Sequence, residues 1–208
     1  MRTPAAKKIT EQVIGRTGEQ VFVVIEGIDG TGKTTLCRFL EEKLIQEGHE
    51  VVTTAEPTDG PIGELIRRRG FDPKAEALLF AADRSCHTAD IEKWLSQEKV
   101  VISDRYYVSS LAYQSASSED LAEWVAAINE PVIREPDITV VLDIDPAEGL
   151  NRISSRGENS RFEAVGYLTR VRENYLRIAG EKGYPVMDAS RDRKETLAEI
   201  MKMIRKED

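Results

Sequence analysis

Short apolar runs rich in β-branched residues alternate along this chain with longer stretches whose apolar positions recur at helical spacing. The runs Val21 to Ile25, Val51 to Ala55, Val100 to Ile102, Ile138 to Ile144 and Tyr184 to Met187 predict strands. After the first strand, Leu36, Leu40 and Leu44 give a helix one apolar stripe, and Gly48 closes it. Ile62 to Arg69 reads as a short helix carrying Arg67. Asp72-Pro73 opens a longer helix to about Ser96, with Leu79, Ala82, Cys86 and Ala89 as its core stripe. Phe80 and Arg84 lie one turn apart on a common face off that stripe. Further helices are predicted around Asp120 to Asn129, from Ala147 to Ile153, from Ala164 to Ala179, and from Lys194 to Lys206 on Leu197, Ile200, Met201 and Ile204. The polar stretch Ser154 to Arg161 carries no apolar periodicity and predicts a mobile flap, at about 154–162. Strands alternating with helices predict an α/β fold, a five-stranded parallel sheet covered on both faces. One domain over 21–208 follows, preceded by an N-terminal extension, 1–20, with a loose basic arm.

Composition narrows the class. The chain has 208 residues, enough for one domain with a sizeable core. A formal charge of −8 argues against a nucleic-acid binder or an anionic-membrane binder, so any anion site must come from local cations. Cys37 and Cys86 each fall inside a helical pattern without metal-type spacing, which predicts reduced core thiols. No apolar run approaches the length of a membrane span, and a cytoplasmic protein is expected.

Between the first strand and the first helix stands Gly27-Ile28-Asp29-Gly30-Thr31-Gly32-Lys33-Thr34, a full match to the phosphate-binding loop G-x-x-x-x-G-K-[ST]. Glycines let backbone N–H groups approach phosphate oxygens, and the helix start adds its own free N–H groups. Lys33 supplies charge for the outer phosphates, and the Thr34 hydroxyl is placed to ligand Mg²⁺. A three-layer P-loop NTPase fold is therefore expected. The third strand ends at Ser103-Asp104-Arg105-Tyr106, placing a carboxylate and a guanidinium where open α/β sheets bind ligands. Arginines gather at Arg67, at Arg105, and in the flap at Arg156 and Arg161. A flap that closes over a triphosphate, with two arginines left for a second phosphate, suggests a nucleoside monophosphate kinase.

From Val21 onward the chain resembles thymidylate kinase. The resemblance is carried by Ile25 to Thr35, Glu56-Pro57-Thr58 with Gly63 and Arg67, and Leu79-Phe80-Ala81-Ala82-Asp83-Arg84. It continues through Ser103 to Tyr106 with Ser109 and Tyr113-Gln114, and Leu142-Asp143 with Pro146, Arg152, Arg156 and Arg161. It implies ATP-dependent phosphorylation of dTMP, with Mg²⁺, and a homodimer. It also implies that Gly27 and Asp29 to Thr35, with Arg152, bind ATP, and that Thr34 and Asp104 serve the metal. Glu56, Pro57, Ser109 and Ser110 would line the acceptor site. Phe80 would stack on thymine, Arg84 would bond a base carbonyl, and Tyr113 would lie near the sugar. Arg67 and Arg105 would hold the acceptor phosphate, and Asp29 would meet the 3′-hydroxyl side of the acceptor. Lys33, Arg156 and Arg161 would stabilise the transferring phosphoryl group. Some relatives carry an arginine where this chain has Gly30, a glycine that goes with arginines supplied by the flap. Ser154 replaces a flap arginine of some relatives, and Ser110 stands where Asn or Thr is common. Two other readings stay open on residues alone: a deoxynucleoside kinase, and a nucleotide-dependent switch that transfers nothing.

Overall fold

The structure, a computed structural model, describes residues 20–68, 70–117, 121–153 and 158–205; of 117 and 158–163 it describes the backbone only. Five parallel strands, β1 (Val21–Gly27), β2 (Val51–Ala55), β3 (Val100–Asp104), β4 (Ile138–Asp143) and β5 (Val186–Asp188), lie in the order β2-β3-β1-β4-β5. Helices α1 (Lys33–Gln46), α2 (Pro61–Arg67), α3 (Pro73–Ser96), α4 (Tyr107–Ser117), α5 (Ala122–Asn129), α6 (Pro146–Ile153), α7 (Glu158–Lys182) and α8 (Arg193–Arg205) connect them.

The two faces of β1 explain the layers. Side chains alternate along a strand, so Phe22 and Val24 enter one core with Tyr106, Val171 and Tyr175. Val21, Val23 and Ile25 enter the other with Leu36, Leu40, Ile200 and Ile204. Burying each such large apolar side chain contributes about 1.5–3 kcal/mol, which is why a central strand tolerates apolar residues on both sides. Chain direction reverses between β1 and β3: β1 leads through α1 toward β2, and β3 leads through α4 and α5 back across to β4. Their C-terminal ends therefore open a crevice, with Ile25 in register with Asp104.

Three expectations change, and one helix, α4, is not among those the sequence predicts. The inward face of α3 is Ala77, Ala81, Arg84, Ile91 and Leu95, with Asp83 and His87, whereas Ala82, Cys86 and Ala89 are exposed. That helix borders polar elements, so burial there follows hydrogen bonding rather than apolar spacing. Cys86 is accordingly an exposed thiol, and only Cys37 is a core one. Helix α4 has no local capping signal: its first turn is capped from β1, where Glu26 accepts bonds from the Tyr106 and Ser109 N–H groups at 2.9 and 3.2 Å. Finally, α7 starts at Glu158, inside the expected flap, because a helix packed along its later turns extends into a polar first turn at little cost.

Candidate active site

β1 ends at Gly27, and the chain turns through residues 28–32 into α1. Gly30 has φ 85°, and a Cβ there would stand 2.1 Å from the Gly149 carbonyl oxygen of α6. Both the backbone conformation and the close approach demand glycine. Gly32, the N-cap of α1, is also left-handed. Lys33 curls back over this turn, its Nζ donating to the Ile28 carbonyl at 2.9 Å and to Thr31 Oγ1 at 3.4 Å. Burial and the neighbouring Arg105 push its pKa down to about 8, against the opposing pull of Asp104, Asp29 and Glu26.

Thr34 Oγ1 donates to Asp104 Oδ2 at 2.5 Å, joining the start of α1 to the end of β3. The other oxygen, Oδ1, is buried without a protein partner. A hydroxyl beside a carboxylate oxygen left unbonded is an oxygen donor set of the kind hard divalent cations take.

Above these groups opens a cavity of about 1090 Å³. From the sequence-predicted set, Asp29, Gly30, Gly32, Lys33, Thr34, Thr35, Asp104, Arg105 and Arg152 line it. Arg152 is braced by the Gly30 and Ala189 carbonyls and by Glu148. The segment Ala189 to Lys194, running from the end of β5 into the first turn of α8, forms another wall that the sequence reading missed. Its signal was positional: polar residues directly after a parallel strand. Six cationic side chains face three carboxylates in this lining, so the site is locally positive in a chain of net charge −8.

Arg105 forms the far wall. Its backbone is left-handed at φ 73°, uncommon for an arginine and typical of a site whose surroundings fix the conformation. Its fork is held on two sides: Nη1 donates to the Gly27 carbonyl at 3.2 Å, Ser109 Oγ at 3.3 Å and Tyr175 Oη at 3.4 Å. Nη2 donates to Asp29 Oδ1 at 2.5 Å and Tyr113 Oη at 3.3 Å. The guanidinium also lies over the Tyr113 ring. Burial pushes the Tyr113 phenol up to about 12, so it stays neutral.

Beyond Arg105 the remaining predicted residues divide. Arg67 is half-exposed and ties down the loop after β2 through the Thr58 and Pro57 carbonyls and Asp59. Asp83 holds the same loop by two 2.7 Å bonds from Thr58. Phe80 is half-buried. Glu56 and Arg84 differ from expectation: both turn inward. Arg84 has no exposed surface; it donates to Glu56 Oε2 at 3.0 and 2.5 Å, to the Tyr106 carbonyl and to Asn129. Glu56 also bonds His87. A buried guanidinium requires a counter-charge, and Glu56 supplies it. The Arg84 fork therefore meets a base only if it exchanges a present partner. Ser109 likewise serves Arg105, whereas Ser110 Oγ is buried and unpartnered. Arg156 lies outside the described residues, as does the Arg161 side chain.

The sequence profile of the thymidylate kinase family matches residues 25–200 of this chain. The chain belongs to the thymidylate kinase family. A probable thymidylate kinase of Pyrobaculum aerophilum is 44% identical over 191 residues, covering 89% of this chain and 96% of that protein. One of Thermococcus kodakarensis is 47% identical over 174 residues, 76% of this chain and 84% of its own. The crystal structure of a thymidylate kinase from Ehrlichia chaffeensis, 30% identical, superposes with a TM-score of 0.71 over 89% of this chain and 98% of the other. The thymidylate kinase match begins inside β1 and ends inside α8, so it takes in the phosphate loop, α3 and the Arg105 turn together.

Proposed function

We propose that this chain transfers the γ-phosphoryl group of ATP to dTMP, giving dTDP and ADP. The observation that carries the reading is the placement of Arg105, which lines the cavity above the phosphate loop while its fork reaches Asp29 and, on α4, Ser109 and Tyr113. ATP occupies the phosphate loop and the cavity walled by Arg152 and the segment after β5. Mg²⁺ would be held by Thr34 and Asp104 and would neutralise charge on the outer phosphates. Lys33 meets the transferring phosphoryl group, together with Arg156 and Arg161. Arg67 and Arg105 hold the acceptor phosphate, for which Arg105 exchanges Asp29, and Asp29 then faces the 3′-hydroxyl side of the acceptor. Phe80 stacks on thymine, Arg84 reaches a base carbonyl by giving up one of its present partners, Ser110 lies at the base edge, and Tyr113 meets the sugar. Phosphoryl transfer asks for this positioning and charge rather than covalent chemistry.

Among the described residues no helix is long and apolar enough to cross a membrane, in keeping with a cytoplasmic enzyme. The exposed stripe Leu78, Ala82, Cys86 and Ala89 on α3 suits a homodimer contact, since small residues let two helices approach closely.

The test is an ADP-release assay with dTMP, dUMP, dCMP and thymidine as acceptors. dTMP is expected to turn over fastest. Faster turnover of thymidine would make the chain a deoxynucleoside kinase, and no ADP with any acceptor would make it a switch.

A further inference from the structure

Glu26 is a carboxylate at zero exposure, one residue from the C-terminal end of β1, a strand buried at every position, where folding alone favours an apolar side chain. Burial drives its carboxyl pKa up from the usual value, so the position is costly. Its surroundings are complete nonetheless. Oε1 accepts the Tyr106 and Ser109 N–H groups, and Oε2 accepts Ser109 Oγ at 2.6 Å and Tyr175 Oη at 3.0 Å.

An ionised Glu26 only accepts, so Ser109 Oγ and Tyr175 Oη, 2.8 Å from one another, direct their protons to it or along their mutual bond. Their lone pairs are then left for Arg105 Nη1, 3.3 and 3.4 Å away. The two backbone bonds fix the other end of the same unit: they cap α4 and hold the turn in which Arg105 has its left-handed backbone. β1, α4 and α7 thus meet at one carboxylate, which sets both the backbone and the fork of a single arginine.

We propose that Glu26 is a positioning residue for phosphoryl transfer: by orienting the Ser109 and Tyr175 hydroxyls and capping α4, it preorganises Arg105 for the acceptor phosphate. The proposal rests on the reading of Arg105 as the acceptor clamp. Glu26→Gln is the discriminating variant. An amide nitrogen at the Oε2 position donates, takes up a hydroxyl lone pair and turns at least one hydroxyl proton away from position 26, which disturbs the pair of acceptors that Arg105 uses.

Kinetics with ATP and dTMP test this, with thermal unfolding of each variant recorded alongside. Glu26→Gln should raise the KM for dTMP about tenfold or more and leave the KM for ATP within about twofold, the split expected when only acceptor binding suffers. Tyr175→Phe and Ser109→Ala should shift the same constant in the same direction by less. In an Arg105→Ala background Glu26→Gln should add nothing further, since residues acting through one another are not additive. A folded Glu26→Gln protein with unchanged KM for dTMP overturns the proposal, as does its full effect persisting without Arg105. If Glu26→Gln does not fold, unchanged KM for dTMP in both Tyr175→Phe and Ser109→Ala overturns it. Failure of the underlying reading looks different: Arg105→Ala alone would then leave the KM for dTMP untouched.

Discussion

Lys33 sits in an unusual electrostatic state. An ordinary lysine titrates near 10.4, and burial holds this one at about 8. Between those two values the unfolded chain keeps a proton that the folded site has released, so this residue makes stability rise with pH across that window. Below pH 8 the folded site carries the charge at a cost. A triphosphate supplies the missing counter-charge and should draw a proton back onto the amine. Calorimetry of ATP binding near pH 9, in buffers of different ionisation enthalpy, should register proton uptake that Lys33→Met abolishes; equal uptake in both proteins would remove the lysine from the phosphate site. Lys33→Met should also lower turnover by orders of magnitude in a folded protein. Phe80 offers a second single-residue test. Base–aromatic stacking contributes about 1–3 kcal/mol, so Phe80→Ala should raise the KM for dTMP roughly 5- to 150-fold. A lower melting temperature with an unchanged KM would make Phe80 a packing residue. At this scale the phosphate loop was fully legible, because its chemistry is local. Glu26, Asp83 and Tyr175 were not, because their roles depend on partners 25 to 149 residues away.

Among the elements, α3 carries the most instruction. Its length was readable from Asp72, which accepts from the Lys74 and Ala75 N–H groups, and from Pro73 behind it. Its orientation was not, since apolar residues occur all around it and the inward face holds Asp83, Arg84 and His87. Three polar side chains inward and Ala82, Cys86 and Ala89 outward invert the usual pattern. The inward ones staple the loop after β2 and the start of α4; the outward row is the face proposed above for a second copy. Ala82→Arg should therefore shift the protein from dimer to monomer in sedimentation, with turnover per chain falling less than assembly does. A wild-type protein that sediments as a monomer would withdraw the assignment of that face. Helix α4 teaches the converse: a helix whose cap comes from another strand leaves no mark in its own sequence.

For the molecule as a whole, alternation of strands and helices was enough to predict a parallel sheet with two covered faces. The order of strands was not, since periodicity says nothing about neighbours. That order places β4 beside β1 and brings the Gly149 carbonyl of α6 against Gly30. Gly149 is equally confined: a Cβ there would lie 2.7 Å from the Asp29 carbonyl oxygen. The expected result for Gly30→Arg is a loss of both thermal stability and turnover, through a left-handed backbone and a clash with backbone atoms that have nowhere to go. Turnover at or above the parent level would mean that α6 yields. The resemblance implies that an arginine at this place would carry in the loop the positive charge that a flap otherwise supplies. For this chain the two solutions are separated by a valley. A lineage crossing from one to the other must first retract α6, and gains nothing until it has.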